Sequence, residues 1–234
     1  MNPFPFFHAP LPAGLFLSLC AGLATAQTPA AATDAAAKPR SSPVAAQAAA
    51  AFPDDFIAAA RRQIGVTRYY DPAYVRLPYP NGDVPAERGV CTDVVIRAYR
   101  ALGVDLQQRV HEDMRAAWAA YPKLWGLRST DRNIDHRRVP NLAAFFTRHG
   151  QRLSISQTDA SIYAPGDIVT WRLPSGVPHI GIVSAQRRGG RPLILHNIGA
   201  GTQLEDMLFD YTVTGRYRYE PEAGQAASAK SRKP

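Results

Sequence analysis

The chain has 234 residues, 46% of them hydrophobic, and carries 27 Lys and Arg against 19 Asp and Glu, a formal net charge of +8. That size suits one well-buried core and does not require two. No phosphate-cradling glycine loop is present, so no nucleotide cofactor is expected.

"LPAGLFLSLCAGLATA" is an apolar run ending in Ala24-Thr25-Ala26, the small-x-small pattern of a cleaved export signal over residues 1–26. It is short for a membrane span, and no other segment approaches that length, so the mature protein is expected to have no transmembrane segment. Lipid attachment at Cys20 is the weaker alternative, because Leu19 is larger than the residue usually found before a lipidated cysteine. The apolar run holds no charged residue, so the mature chain keeps the whole positive charge. For an exported, periplasmic protein that charge favours peptidoglycan or another anionic envelope component over nucleic acid. A monomer is expected.

Gln27 to Ala51 is rich in Ala, Pro and Ser and reads as a disordered linker. Residues 222–234 form a similar, basic tail, leaving one domain over 52–221. Phe56, Ile57, Ala60 and Ile64 recur at helical spacing, with Asp54 or Asp55 as cap and Gly65 as stop. "TRYYDPAYVRLPYPNGDVPAERG" predicts a long ordered loop. Cys91, Val94, Val95, Ala98, Tyr99 and Leu102 form one helical stripe, with Arg97 and Arg100 facing out and Gly103 ending it. Residues 108–127 read as helical with a break at Tyr121-Pro122, and Asn141 to Arg148 as a short helix. "GDIVTW", "HIGIVSA" and "PLILHNI" then read as strands. Helices first and antiparallel strands second predict an α+β domain, with helices packed on a small antiparallel sheet.

Cys91 is the one cysteine left after signal cleavage, and it stands at a helix start. Helix N-terminal amides and the helix dipole favour the thiolate, the nucleophilic form, and can hold an oxyanion. A buried structural cysteine is the competing reading. His179 opens one strand and His196 closes the next, so His179 is the candidate base and His196 the group that orients it. Asn197 is the alternative third group, on the opposite face. The two histidines face each other directly if Gln186 to Gly189 form the hairpin loop, and this register is expected. A tighter turn at Gly189-Gly190 keeps the face but offsets them by four residues, about 13 Å. His111, Glu112, Asp113, Asp131, Asp135 and His136 are possible metal ligands, but no H-E-x-x-H spacing exists, and no metal is expected. Arg137 and Arg138 are candidates to grip a substrate carboxylate. Trp118, Trp125 and Trp171 suit a core or groove wall.

"GVCTDVVIRAYRALGVDL", followed by "APGDIVTWRLPSGVPHIGIV" and "LILHNIG", resembles papain-like bacterial cell-wall peptidases of the NlpC type. "YDPAYVRLPYPNGDVP", "VHEDM" and "NIDHRRVPNL" further resemble the bacterial domain of unknown function 1287 family. The resemblance implies a papain-like fold with Cys91 as nucleophile, His179 as base and His196 as orienter. It also implies a tyrosine near the reacting oxygen, either Tyr69 or Tyr70. Val90 stands where an aspartate is usual, and Thr92-Asp93 where Ser-Gly is usual, which leaves the substrate open and makes Thr92 and Asp93 candidate substrate contacts. The function so implied is an exported cysteine hydrolase cutting amide bonds in peptidoglycan peptides. A non-catalytic wall-binding module and an acyltransferase or transpeptidase are the alternatives.

Overall fold

A computed structural model describes residues 43–221, with side chains from residue 51 onward. The expected export signal, Cys20, the first part of the linker and the basic tail lie outside the described residues.

Helix α1 (Pro43–Arg61) begins earlier than the Asp54 or Asp55 cap expected. The alanine run read as linker is the best helix-forming composition there is, and it carries the helix back through Pro53. Two short parallel strands, β1 (Tyr69–Tyr70) and β2 (Arg88–Gly89), follow, with the Tyr- and Pro-rich loop between them. Helix α2 (Cys91–Ala101) follows the predicted stripe, with Cys91, Val94, Val95, Ala98 and Tyr99 buried and Gly103 at φ 79° ending it. Helices α3 (Leu106–Ala116) and α4 (Val139–His149) complete the helical layer, with single 3-10 turns between them.

The expected outward-facing Arg97 and Arg100 instead hold the long loop. Arg97 grips both Asp83 oxygens and the carbonyls of Val84, Ala86 and Arg88, while Arg100 adds a second bond to Asp83. From α3, Gln107 accepts from Gly82 N–H and donates to the Pro78 carbonyl, and Asp105 accepts from Asn81 N–H. A loop whose backbone and Asp83 carboxylate are held by so many side chains of α2 and α3 is a fixed part of the scaffold.

Among the described residues, six antiparallel strands form the sheet. They are β3 (Gln151–Arg152), β4 (Ile168–Arg172), β5 (Pro178–Arg188), β6 (Arg191–His196), β7 (Gln203–Glu205) and β8 (Thr212–Arg218), in the order β3-β8-β4-β5-β6-β7. The domain is α+β, with α2 starting at Cys91 and packed on the sheet. Ile168, Ile180, Ile182 and Leu195 point into the core shared with α1, α2 and α4. Val169, Trp171, Val183 and Ile194 point to the other face, under Tyr163, Met207 and Leu208. Strand alternation therefore sends Ile180 toward the helices and His179 and Gly181 to the second face. Asp167, opening β4, is fully buried and takes ion pairs from Arg216 and Arg218 on β8, which fixes the strand that leads to the site.

The β5–β6 hairpin corrects the expected register. Its turn is the tight Gly189-Gly190 pair, both at positive φ, with Arg188 opposite Arg191 and Arg187 opposite Pro192. The pairing then shifts, and nearer the site Ile182 stands opposite Leu195 and Val183 opposite Ile194. A bulge at 184–186 makes the shift. The Ser184 hydroxyl accepts from Gln186 N–H (3.1 Å), giving the looped-out backbone a partner. The result is intermediate between the two registers considered, and it sets His196 opposite Gly181, two residues from His179.

Candidate active site

Cys91 occupies the first position of α2, and the chain reaches it through a close approach. A Cβ on Gly89 would lie 3.1 Å from Asp93 Oδ2. Asp93 reaches back to accept from Val90 N–H at 2.7 Å, and Val90 has no side-chain acceptor to offer in return. Asp93 thereby satisfies one orphan donor of the helix start and leaves the next amides, of Cys91 and Thr92, turned to the sulfur.

A third amide joins them. The pairing of β6 with β5 ends at Leu195, opposite Ile182, although the register, continued, would put Asn197 opposite Ile180. Asn197 instead turns its Nδ2 to the Gly89 carbonyl (3.1 Å), and the Ile180 N–H meets the Cys91 sulfur. The thiol thus sits at the fork where β6 leaves β5, beside the residue that follows His179. Burial pushes it up to about 12, against the pull of the Ile180, Thr92 and Cys91 amides, and the Asp93 carboxylate adds to the rise. With 4% of the residue exposed, the thiol is closed to solvent and neutral.

His179 and His196 meet as diagonal neighbours. His179 Nε2 lies 3.0 Å from His196 Nδ1, with the rings at 87° and their centroids 5.1 Å apart. Gly181 makes this possible, because a Cβ there would stand 2.7 Å from Ile194 Cγ2 and 3.1 Å from His196 Cβ. His179 also packs on Trp171, whose Nε1–H donates to the Leu208 carbonyl. His179 Nδ1 has no hydrogen-bond partner among the described residues, and no S–H···N bond joins it to Cys91. Burial, and then His196, hold His179 down to about 3, so it too is neutral.

His196 is 1% exposed. Its Nε2 has no aligned hydrogen-bond acceptor, yet Glu205 Oε2 of β7 stands 2.8 Å away, an ion-pair approach off the N–H axis. Burial lowers His196 and the Glu205 charge opposes that. Glu205 escaped the sequence reading because nothing in a three-residue polar edge strand marks it. Its position two places from Gln203, which faces His196, appears only with the β6–β7 register.

Of the two tyrosines, Tyr70 is the one coupled to the thiol. Burial first, then the charges of Cys91 and Asp93, raise its phenol to about 12, which keeps it a proton donor. Tyr69 is 55% exposed with Arg68 over its ring.

The other expected substrate contacts are engaged within the fold. Arg137 holds Asp93 through two bonds, 3.0 and 2.9 Å, and donates to the carbonyls of Ala73 and Asp71. Both charges are buried and each neutralises the other, so Arg137 has no free fork for a substrate carboxylate. Thr92 is fully buried and donates to the Arg137 carbonyl. Asn197 bonds Gly89 rather than either imidazole. These groups tie the tyrosine segment, α2 and β6 to one another around Cys91. His111 pairs with Asp135 and Asp113 with Arg148 and His149, which makes the two acidic-histidine segments anchors between α3, α4 and the preceding turn.

Two cavities flank the histidines. One, of about 580 Å³, lies past His196 and is walled by Glu205, Asp206, Asp210 and Tyr211. The other, of about 700 Å³, runs between Trp125, Pro140, Trp171 and Pro178, the residue before His179.

Residues 57–219 match the family model described as Domain of unknown function (DUF1287). A protein of Escherichia coli (strain K12), described as uncharacterized protein YijF, is 58% identical over 161 residues, which cover 68% of this chain and 78% of that protein. The structure of NlpC1 from Trichomonas vaginalis is similar at 18% identity and a TM-score of 0.37. That match covers 70% of this chain, which spans 44% of the NlpC1 chain. With more than half of its residues inside the match, the chain belongs to the DUF1287 family.

Proposed function

We propose that this protein is an exported cysteine hydrolase that cleaves amide bonds in peptidoglycan peptides, with a papain-like division of labour. The observation that carries the reading is a thiol at the first position of α2, drawn toward the thiolate by the Ile180, Thr92 and Cys91 amides, on a helix packed against the strand that carries a histidine whose Nε2 is engaged and whose Nδ1 is not. In this mechanism Nδ1 of His179 takes the thiol proton as sulfur attacks the substrate carbonyl carbon. The carbonyl oxygen becomes an oxyanion held by the helix amides and the Tyr70 hydroxyl. The imidazolium passes its proton to the leaving nitrogen, the C–N bond breaks, and an amine departs from a thioester. Water, deprotonated by the same Nδ1, then releases the acid and the free thiol. Both partners rest neutral, so proton transfer accompanies attack rather than preceding it.

The substrate class rests on the +8 charge, the expected export signal and the sequence resemblance to cell-wall peptidases. The 700 Å³ cavity beside Pro178 suits the acyl side of such a substrate, with Trp125 and Trp171 as walls. The test is incubation of purified protein with muropeptides. A new amine and carboxylate pair by mass spectrometry is the expected product, and an amide to an added amine would mark a transferase instead.

A second reading, a wall-binding module without turnover, is favoured by the closed, neutral thiol. It predicts co-sedimentation with intact sacculi, no muropeptide products, and equal binding by wild type and Cys91→Ala.

A further inference from the structure

We propose that Glu205 is a fourth member of the histidine chain, a positioning residue whose carboxylate sets the tautomer of both imidazoles. The proposal rests on the reading of His179 as the base and adds what selects its basic nitrogen.

The argument follows the protons. His196 uses Nδ1 toward His179 and Nε2 toward Glu205, at 3.0 and 2.8 Å. A neutral imidazole carries one N–H and one lone pair. A carboxylate beside Nε2 favours the tautomer with hydrogen there, since a lone pair facing a negative oxygen is repelled. His196 Nδ1 then bears the lone pair and accepts. Its only partner among the described residues is His179 Nε2, which must donate. The remaining nitrogen, His179 Nδ1, is left with the lone pair, and it is the atom with no partner among the described residues. One carboxylate thus fixes the proton position two rings away. Removing it lets the chain invert, placing hydrogen on Nδ1 of His179 and disabling it as a base.

Charge works in the same direction. When Nδ1 takes a proton, the positive charge stays on His179 and is stabilised by the oriented His196 ring and the Glu205 carboxylate behind it, as a carboxylate does behind a single catalytic imidazole. Glu205 is suited to this because its side chain is 49% exposed, so water can solvate the rest of the carboxylate while Oε2 stands 2.8 Å from the ring nitrogen. The neighbouring carboxylate, Asp206, is held by Arg191 and does not compete.

The experiment uses protein labelled with ¹⁵N-histidine and reads ring tautomers by long-range ¹H–¹⁵N correlation at neutral pH. The wild type is expected to show His196 and His179 both carrying hydrogen on Nε2. Glu205→Ala should lose this single-tautomer pattern and lower the rate of Cys91 alkylation at least tenfold, with recovery in Glu205→Asp. Hydrogen on Nδ1 of His196 in the wild type, or unchanged tautomers in Glu205→Ala, overturns the proposal. The wild-type spectrum decides alone if the alanine variant does not fold. Because the spectrum is read without substrate, the expected tautomers in a protein that cleaves nothing would uphold the Glu205 role and remove only the hydrolase reading.

Discussion

His179 and His196 hydrogen-bond at 3.0 Å although their strands do not pair them. Two structural choices produce the contact: the bulge at 184–186, which halves the offset that the tight Gly189-Gly190 turn would impose, and the bare backbone at Gly181, across which the His196 ring leans.

Replacing Gly181 by alanine puts a methyl group 2.7 Å from Ile194 Cγ2 and 3.0 Å from the Leu195 carbonyl oxygen. Overpacking of this kind costs about 1–3 kcal/mol. Urea unfolding should show that loss, and the His179–His196 contact should part, so turnover should fall further than stability alone explains. Full activity in Gly181→Ala would contradict the role given to the diagonal contact.

Tyr70→Phe separates the two tyrosines. The hydroxyl has no hydrogen-bond partner among the described residues, so its loss should leave the melting temperature unchanged. Loss of one oxyanion donor lowers kcat by about 10²–10³. Tyr69→Phe, on an exposed ring, should behave as wild type. Equal activity in the two variants would remove Tyr70 from the site.

The Asp93–Arg137 pair should behave as a unit. Arg137→Leu leaves a buried carboxylate without its partner, and such breaks cost about 3–5 kcal/mol. Asp93→Leu in addition should recover part of that loss. A double-mutant cycle by chemical denaturation checks the coupling, and additive losses would show that the two charges act independently.

Acid should destabilise the fold above the carboxylate range. Burial holds both His136 and His179 down to about 3, while in the unfolded chain each titrates near 6.5. The unfolded state therefore binds more protons below that value. The stability each neutral imidazole contributes is complete above about 6.5 and is lost as pH falls toward 3, at up to about 1.4 kcal/mol per pH unit per residue. Urea midpoints between pH 7.5 and 5 should fall with pH, and His136→Gln should make the fall less steep. A midpoint independent of pH in this window would place both rings in solvent.

The sequence made some of this arrangement readable and hid the rest, for identifiable reasons. The α2 stripe from Cys91 to Leu102 and its Gly103 stop are local, and they stand as expected. The strand runs around "GDIVTW", "HIGIVSA" and "LILH" are dense in β-branched residues and equally local. The hairpin register was not readable, because it depends on a bulge held by the Ser184 hydroxyl, and bulges leave no periodic mark. Strand β8, "TVTGRYR", was missed because arginines and a glycine interrupt its alternation, and those arginines are there to meet Asp167. Arg137 looked free because its partner, Asp93, lies 44 residues away. Tyr70 could not be separated from Tyr69 until the β1–β2 pairing set it opposite Gly89, two residues before the thiol.

The most direct test of a nucleophilic Cys91 is the ratio of muropeptide turnover by wild type to that by Cys91→Ala, both verified as folded. Loss of a covalent nucleophile should lower kcat by at least about 10³-fold. Rates within twofold of each other would mean that the sulfur at the β5–β6 fork takes no part in the chemistry.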